Sequence, residues 1–305
     1  MGGRLTSARR SFRARLLSVL LAVLSNSLGR LGWRGGQRWG AALGGLGWKV
    51  ARRDRKRTLA HLELAFPDLG DGERRQLGRA CFRHLGAMLG ECLVLRHGDC
   101  ALIESLVEVE GWENVERLRS AQRGILILTG HCGNWELLAA LINCRSLGMA
   151  VVARAIDESS LNDALVAFRR RFGTITIERG EAGAARKLLR IVRPRQGPPG
   201  ALGMLIDQDT KVEGAWVDFF ARPAFTPLGA ASLALRFDLA VVPTFIERRD
   251  DGTHLARFSP PLALPPDPVD ATARMTEAIE QQIRCCPQQW VWMHRRWRHR
   301  PPEPA

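Results

Sequence analysis

Apolar residues along this chain follow two rhythms. Short continuous apolar runs bounded by turn residues read as strands covered on both faces, which have no polar side to show. Gly124-Ile125-Leu126-Ile127-Leu128-Thr129 is the plainest of these and ends on a turn at Gly130. Residues 150–154, 174–177, 201–206 and 239–247 read the same way. Elsewhere apolar positions recur three and four apart, which predicts helices over 59–66, 73–95, 134–147, 161–172, 182–192, 228–237 and 271–286. Pro67-Asp68 stops the first of them, and Asp251-Gly252 marks a hairpin turn into a strand at 254–258. Strands alternating with helices predict an α/β fold with a mostly parallel central sheet flanked by helices. No repeat or linker divides residues 59–305, which are expected to form one catalytic domain.

Residues 1–58 break the alternation. Arg4, Arg9, Arg10, Arg13 and Arg15 precede an apolar run over 16–24, which weakens through Ser25-Asn26-Ser27 before Leu28, Leu31 and Trp33. Counted tolerantly, 16–33 gives eighteen residues, just short of the roughly 20 that a membrane-crossing helix needs. Residues 39–48 are amphipathic and lead into a basic stretch at 52–57. Basic residues beside apolar turns and Trp suit the anionic cytoplasmic leaflet, so 1–58 is expected to be an uncleaved membrane-anchoring helical segment. A cleaved signal peptide ending near Ser25-x-Ser27 and a plain buried helix are the competing readings. The run 52–57 also reads as a solvated helix face.

Composition narrows the class. With 305 residues, 46% hydrophobic and 25% charged, the chain has ample material for a core, which excludes disorder and a disulfide-stapled mini-fold. The formal charge is +14, and its distribution is uneven: +13 over residues 1–58, +4 over 284–305 and −3 between. Arg-rich ends attract phosphate, but a near-neutral body and an apolar first segment argue against nucleic acid. Seven scattered cysteines (81, 92, 100, 132, 144, 285, 286) form no C-x-x-C pair. They are expected to be reduced, buried thiols on a cytosolic face, with no zinc site.

The candidate chemistry sits where ligands of such folds bind, beyond the carboxyl end of a strand. Thr129-Gly130-His131-Cys132-Gly133-Asn134-Trp135-Glu136 joins the plainest strand to a helix start. A carboxylate in the first helical turn is favoured by the helix dipole and can reach back to an imidazole at the strand end. Glu136 is then expected to fix the tautomer of His131 and stabilise the imidazolium formed when His131 acts as general base. Helix N–H groups nearby suit a developing oxyanion. On spacing alone the plainer reading stands beside it: Glu136 favours the helix start and His131 caps the strand.

The surrounding residues add a resemblance. Gly130-His131-x-Gly133-Asn134-Trp135-Glu136 resembles the His-x4-acid block of the bacterial lipid A biosynthesis acyltransferases, the lauroyl/myristoyl acyltransferase family. The likeness runs nearly the whole chain in order: Leu62-x-Leu64-Ala65-Phe66-Pro67, Glu110-Gly111-Trp112-Glu113-Asn114, Asp207-Gln208-Asp209, Val217-Asp218-Phe219-Phe220, Pro223-Ala224-Phe225-Thr226, Val241-Val242-Pro243, and Pro287-Gln288-Gln289-Trp290-Val291-Trp292-Met293-His294-Arg295-Arg296-Trp297. It implies transfer of a fatty acyl chain from an acyl carrier protein or CoA thioester to a hydroxyl of a phosphorylated membrane glycolipid, a lipid A precursor. No metal, cofactor or acyl-enzyme is implied. The expected location is the inner membrane, with the catalytic domain on the cytoplasmic face. By the same resemblance Arg154 and Arg169 are candidates for acceptor phosphate, which suits the charged fork of Arg. Asp207 is a candidate for orienting an Arg or the acceptor sugar, and Gln208 beside it for binding substrate. Each also reads as a solvated or capping residue.

The chain departs from the family pattern at three points. Ala221 stands where Gly is usual after Phe-Phe, His61 takes the usual Asn place, and tyrosine is absent. These bear on acceptor identity, since His131 and Glu136 are intact. No residue excludes the rival reading, the same chemistry on a phosphoinositol mannoside, another glycolipid or an aminolipid. A lysophospholipid acceptor fits less well, because Gly133 and Glu136 take the Ser and Asp places of that family's His-x-Ser-x-x-Asp block. Cys132 as a covalent nucleophile and a non-enzymatic basic membrane-surface protein are the remaining alternatives.

Overall fold

The computed structural model describes residues 31–154, 159–194 and 196–301. The apolar run expected at 16–24 and the arginines before it lie outside the described residues. Among the described residues three helices come first: α1 (Gly32–Val50), α2 (Arg52–Ala65) and α3 (Asp71–Leu95). The boundary expected at residue 58 falls inside α2. No helix among the described residues is long and apolar enough to cross a membrane. Then follow α4 (Cys100–Leu106), β1 (Val107–Glu110), α5 (Trp112–Ser120), β2 (Ile125–Thr129), α6 (Trp135–Cys144), β3 (Met149–Ala153), α7 (Ser159–Arg171), β4 (Ile175–Glu178), α8 (Ala184–Val192) and β5 (Ala201–Leu205). The chain closes with β6 (Gly214–Asp218), β7 (Pro223–Pro227), α9 (Gly229–Phe237), β8 (Ala240–Arg248), β9 (His254–Phe258) and α10 (Pro268–Cys285).

The main sheet has the order β1-β9-β8-β2-β5-β3-β4. Strands β8, β2, β5, β3 and β4 run parallel, while β9 and β1 run against them. The expected α/β fold with a mostly parallel sheet flanked by helices is therefore what the chain forms. Side chains alternate across a strand, and β2 divides its own accordingly. Leu126 and Leu128 enter one apolar cluster with Leu188 and Val192 of α8, Ala230 and Ala234 of α9, and Met275 and Ile279 of α10. Ile125 and Ile127 enter the opposite cluster with α6 and with Phe168 and Phe172 at the end of α7. All five β2 residues are buried, which explains why this strand is so legible as a sequence.

Helices α1 and α3 pack antiparallel at backbone contact. A Cβ added at Gly40 would overlap the carbonyl oxygen of Gly86, one at Gly44 that of Phe82, and one at Gly90 that of Gly36. Glycine is required along this seam because any side chain would push the helices apart.

The β6–β7 hairpin and the short elements α4, β1 and α5 are not among the elements that periodicity predicts. In the hairpin the reason is its turn. Phe219 and Arg222 exchange backbone hydrogen bonds, and Phe220 and Ala221 between them have φ of 55° and 53°. A two-residue turn with both φ positive normally advertises itself as Asn-Gly or Asp-Gly; here tertiary packing imposes it on Phe-Ala. The Phe220 ring lies edge-on to Phe66 and Trp292, and Arg284 sits 4.5 Å over it. Ala221 thus occupies a left-handed position, which accounts for glycine being the commoner choice there. The conformation costs an L-residue about 1–2 kcal/mol, partly offset because alanine loses less chain entropy than glycine on folding. Ala221→Gly is therefore expected to stabilise the fold by about 0.5–1 kcal/mol, read as a higher denaturant midpoint. A lower midpoint would show that packing has already relieved the strain.

The cysteine expectation needs correction. Cys100, at the start of α4, and Cys144, at the end of α6, are joined by a disulfide with Cα atoms 5.4 Å apart. They are 44 residues apart in sequence, so only folding brings them together. Of the others, Cys81 and Cys132 are buried, Cys92 and Cys286 are half-buried and Cys285 is exposed. Thiol usage therefore no longer argues for a reducing compartment.

Candidate active site

The parallel register brings the key residues together. Thr129 at the end of β2 is paired with Leu205 at the end of β5, so His131 and Asp207, each two residues further on, leave the sheet at the same height. His131 Nδ1 lies 2.8 Å from Asp207 Oδ1, and the His131 backbone N–H donates to Asp207 Oδ2 at 2.7 Å. Trp290 Nε1–H donates to the same Oδ2 at 2.7 Å. Burial raises the Asp207 pKa, but the His131 interaction and these hydrogen bonds outweigh it and bring the carboxyl down to about 2. An ionised Asp207 requires the proton of neutral His131 on Nδ1, leaving Nε2 with its lone pair. Gln208 Nε2 donates to that nitrogen at 3.1 Å. The His131 side chain is 22% exposed and that of Asp207 only 1%, so the ring is reachable while its carboxylate is not.

Glu136 does not hold the imidazole as expected. Its two oxygens accept from Arg169 Nε at 2.9 Å and Nη2 at 2.6 Å, a two-pronged ion pair with little exposure. Asn134 caps α6 by accepting from the Leu137 N–H at 3.0 Å. Placed in the first turn after that cap, Glu136 meets α7, whereas a neighbouring strand supplies the carboxylate for His131. Nearness in sequence suggested the wrong acid because the sheet places a distant one closer. The Arg169 fork, expected to face acceptor phosphate, is engaged by Glu136. Arg154 is exposed just past the end of β3, on the same carboxyl edge of the sheet as His131.

The His131 loop is braced from three directions. Gly133 has φ of 61°, and a Cβ there would overlap the carbonyl oxygen of Ile246 in β8, so only glycine lets the loop lie on that strand. Its N–H donates to Gln289 O at 2.9 Å, and Cys132 forms a β-bridge with Trp290. Asn134 Nδ2 donates to Glu91 Oε2 at 2.7 Å. Glu91 is fully buried, paired through both oxygens with Arg248 at 2.5 and 2.9 Å, and also accepts from Gln37 at 2.7 Å. His84 lies 2.6 Å from Arg248 Nη1, and burial, reinforced by that guanidinium, pushes its pKa down to about 3, so it stays neutral. Sequence reasoning passed over Glu91, although a lone acid in Met88-Leu89-Gly90-Glu91-Cys92-Leu93 must find a cation if it is buried.

Two further residues bear on the alternatives. Burial, with the Asp207 charge nearby, raises the Cys132 thiol well above its ordinary value; it stays protonated and is a poor nucleophile. His61, in the usual Asn place, is buried and its Nδ1 is 2.8 Å from the Trp292 carbonyl, with Trp297 edge-on at 5.1 Å. A ring N–H serves there as an amide N–H would.

This geometry can do one thing readily: accept a proton at Nε2 from a group arriving at the open side of His131, with the resulting charge balanced by Asp207. The model of the family described as bacterial lipid A biosynthesis acyltransferase matches residues 15–299. The chain is 28% identical over 270 residues to the lipid A biosynthesis lauroyltransferase of Escherichia coli (strain K12), covering 87% of this chain and 85% of that protein. It is 26% identical over 266 residues to the lipid A biosynthesis palmitoleoyltransferase of the same organism, covering 86% and 84%. To the phosphatidylinositol mannoside acyltransferase of Mycobacterium tuberculosis (strain ATCC 25618 / H37Rv) it is 21% identical over 189 residues, covering 62% and 59%.

Proposed function

This chain belongs to the bacterial lipid A biosynthesis acyltransferase family, and from that premise we propose that it transfers a fatty acyl chain from an acyl carrier protein or CoA thioester to a hydroxyl of a lipid A precursor. In this reading His131 Nε2 removes the proton of the acceptor hydroxyl, which takes the place of the Gln208 amide on that nitrogen. The oxygen attacks the thioester carbonyl, the C–S bond breaks, and the imidazolium returns the proton to the departing thiolate. Asp207 holds the tautomer and balances the positive ring, as the acid of a catalytic triad does. Arg154 meets a phosphate of the acceptor. The Glu136–Arg169 pair stiffens the start of α6, and with it the loop carrying His131. The enzyme works at the inner membrane with this site on the cytoplasmic face, consistent with the net +13 of residues 1–58.

The observation that supports this reading best is the reachable imidazole backed by a buried, ionised carboxylate. Likeness to the mannoside acyltransferase favours a second reading, the same chemistry on another glycolipid. Both are tested by offering membranes that contain the full chain a radiolabelled acyl thioester, on acyl carrier protein or on CoA. The acceptors are a tetra-acylated lipid A precursor, a phosphoinositol mannoside and lysophosphatidate. Labelled lipid A precursor is the expected product. Label in the mannoside alone would keep the mechanism and replace the acceptor, and label in none of them would overturn the proposal.

A further inference from the structure

Helix α1 carries a row of large apolar side chains that nothing among the described residues covers. Trp39, Leu43, Leu46 and Val50 are 58%, 48%, 55% and 68% exposed. Their spacing of four, three and four residues makes them one stripe along the helix. The stripe cannot roll inward, because the glycine seam with α3 fixes the rotation of α1 about its own axis. Exposed apolar residues scattered singly need no explanation, but an aligned row held outward by backbone contact does.

Charge indicates what covers it. At 100° per residue, Arg38 and Lys49 lie about a quarter-turn to one side of the stripe, and both are exposed. Beyond Val50 the chain turns into α2, where Arg52, Arg53 and Lys56 are exposed as well. An apolar face with a Trp, bordered by cations on one flank, matches the acyl–headgroup boundary of an anionic bilayer. We propose that Trp39, Leu43, Leu46 and Val50 of α1 lie in the surface of an anionic lipid bilayer, with the helix parallel to the membrane and its cations at the headgroups. This contact is separate from the His131 site, and its test does not depend on acyl transfer.

The experiment uses the full chain with Cys285→Ser, so that Leu43→Cys can carry an environment-sensitive bimane label, and the Cys285→Ser protein gives the background. A second label at Ile175→Cys on β4, a site 51% exposed, is the reference. Both proteins are reconstituted into phosphatidylglycerol vesicles containing a nitroxide-labelled lipid. The label at 43 is expected to shift to the blue and to be quenched at least about threefold more than the label at 175. Leu46→Cys is expected to behave as Leu43→Cys does. Arg38→Glu with Lys49→Glu, or replacement of phosphatidylglycerol by phosphatidylcholine, is expected to reduce the quenching at 43 by at least about half. A label at 43 that stays as water-exposed as at 175 overturns the proposal. So does one that is shielded yet unquenched by the lipid, since the stripe would then be covered by residues 1–30 or by a second copy of the chain.

Discussion

Alanine in place of His131 is expected to lower acyl transfer by at least about 100-fold while leaving the protein folded. The loss follows from position. Nε2 faces the open side of the site, where its partner is the displaceable Gln208 amide, while Asp207 holds the ring at Nδ1 and the loop at the His131 backbone N–H. The backbone bond to Asp207 survives truncation, so the loop keeps one of its anchors. Removing the imidazole leaves an acceptor hydroxyl near its solution pKa with no partner to take its proton. The decisive measurement is the rate of label transfer by wild type and His131→Ala, with thermal unfolding of each recorded alongside. Transfer that persists in the variant would place the proton acceptor elsewhere and sink the mechanism.

Asp207→Asn is expected to be nearly as damaging, by about 10²–10⁴-fold, although it changes one atom. Two N–H groups, from the His131 backbone and the Trp290 ring, converge on one oxygen of this side chain. In an asparagine the carbonyl oxygen must take that place, which turns the amide NH2 towards His131 Nδ1. Nδ1 would then have to accept, the ring proton would move to Nε2, and the base would be blocked. The same substitution has a signature in stability. Because Asp207 is held at about 2 against an ordinary 3.8, its ionised form stabilises the fold at every pH above about 4. That contribution declines as pH falls towards 2. The gap in denaturant midpoint between wild type and Asp207→Asn is therefore expected to shrink as the pH falls from about 5 to about 2. A gap that widens over that range would mean that Asp207 is not depressed. Glu136→Gln leaves the Nδ1 partner of His131 in place, so its activity loss is expected to be smaller than that of Asp207→Asn. Its main effect falls on stability, because the half-buried charge of Arg169 loses its counterpart.

The strands of the main sheet other than β1 were readable, the central one for a plain reason. A strand covered on both faces must be apolar throughout, and Ile125-Leu126-Ile127-Leu128-Thr129 carries that requirement in consecutive residues. The helix starts were readable where a cap is local, as at Asn134. The hairpin at Phe219–Arg222 was not, because its positive φ angles are imposed by aromatic packing from residues far along the chain. Glu91 escaped notice for a related reason. An acid in an apolar helix says only that a cation must be found, and Arg248 lies 157 residues away.

The sequence by itself determined the α/β alternation, the family, and His131 with its open strand-end position, since each is written in residues adjacent to one another. Tertiary structure alone decided which acid serves that histidine. Glu136 stands five residues away but is carried by the first turn of α6 towards Arg169. Asp207 stands 76 residues away and is delivered by the register of two parallel strands. It likewise decided that Cys100 meets Cys144, and that the apolar row on α1 faces outward. Hydrogen bonds and charges act over a few ångströms of space, and only strand pairing and helix contact convert distance along the chain into that separation.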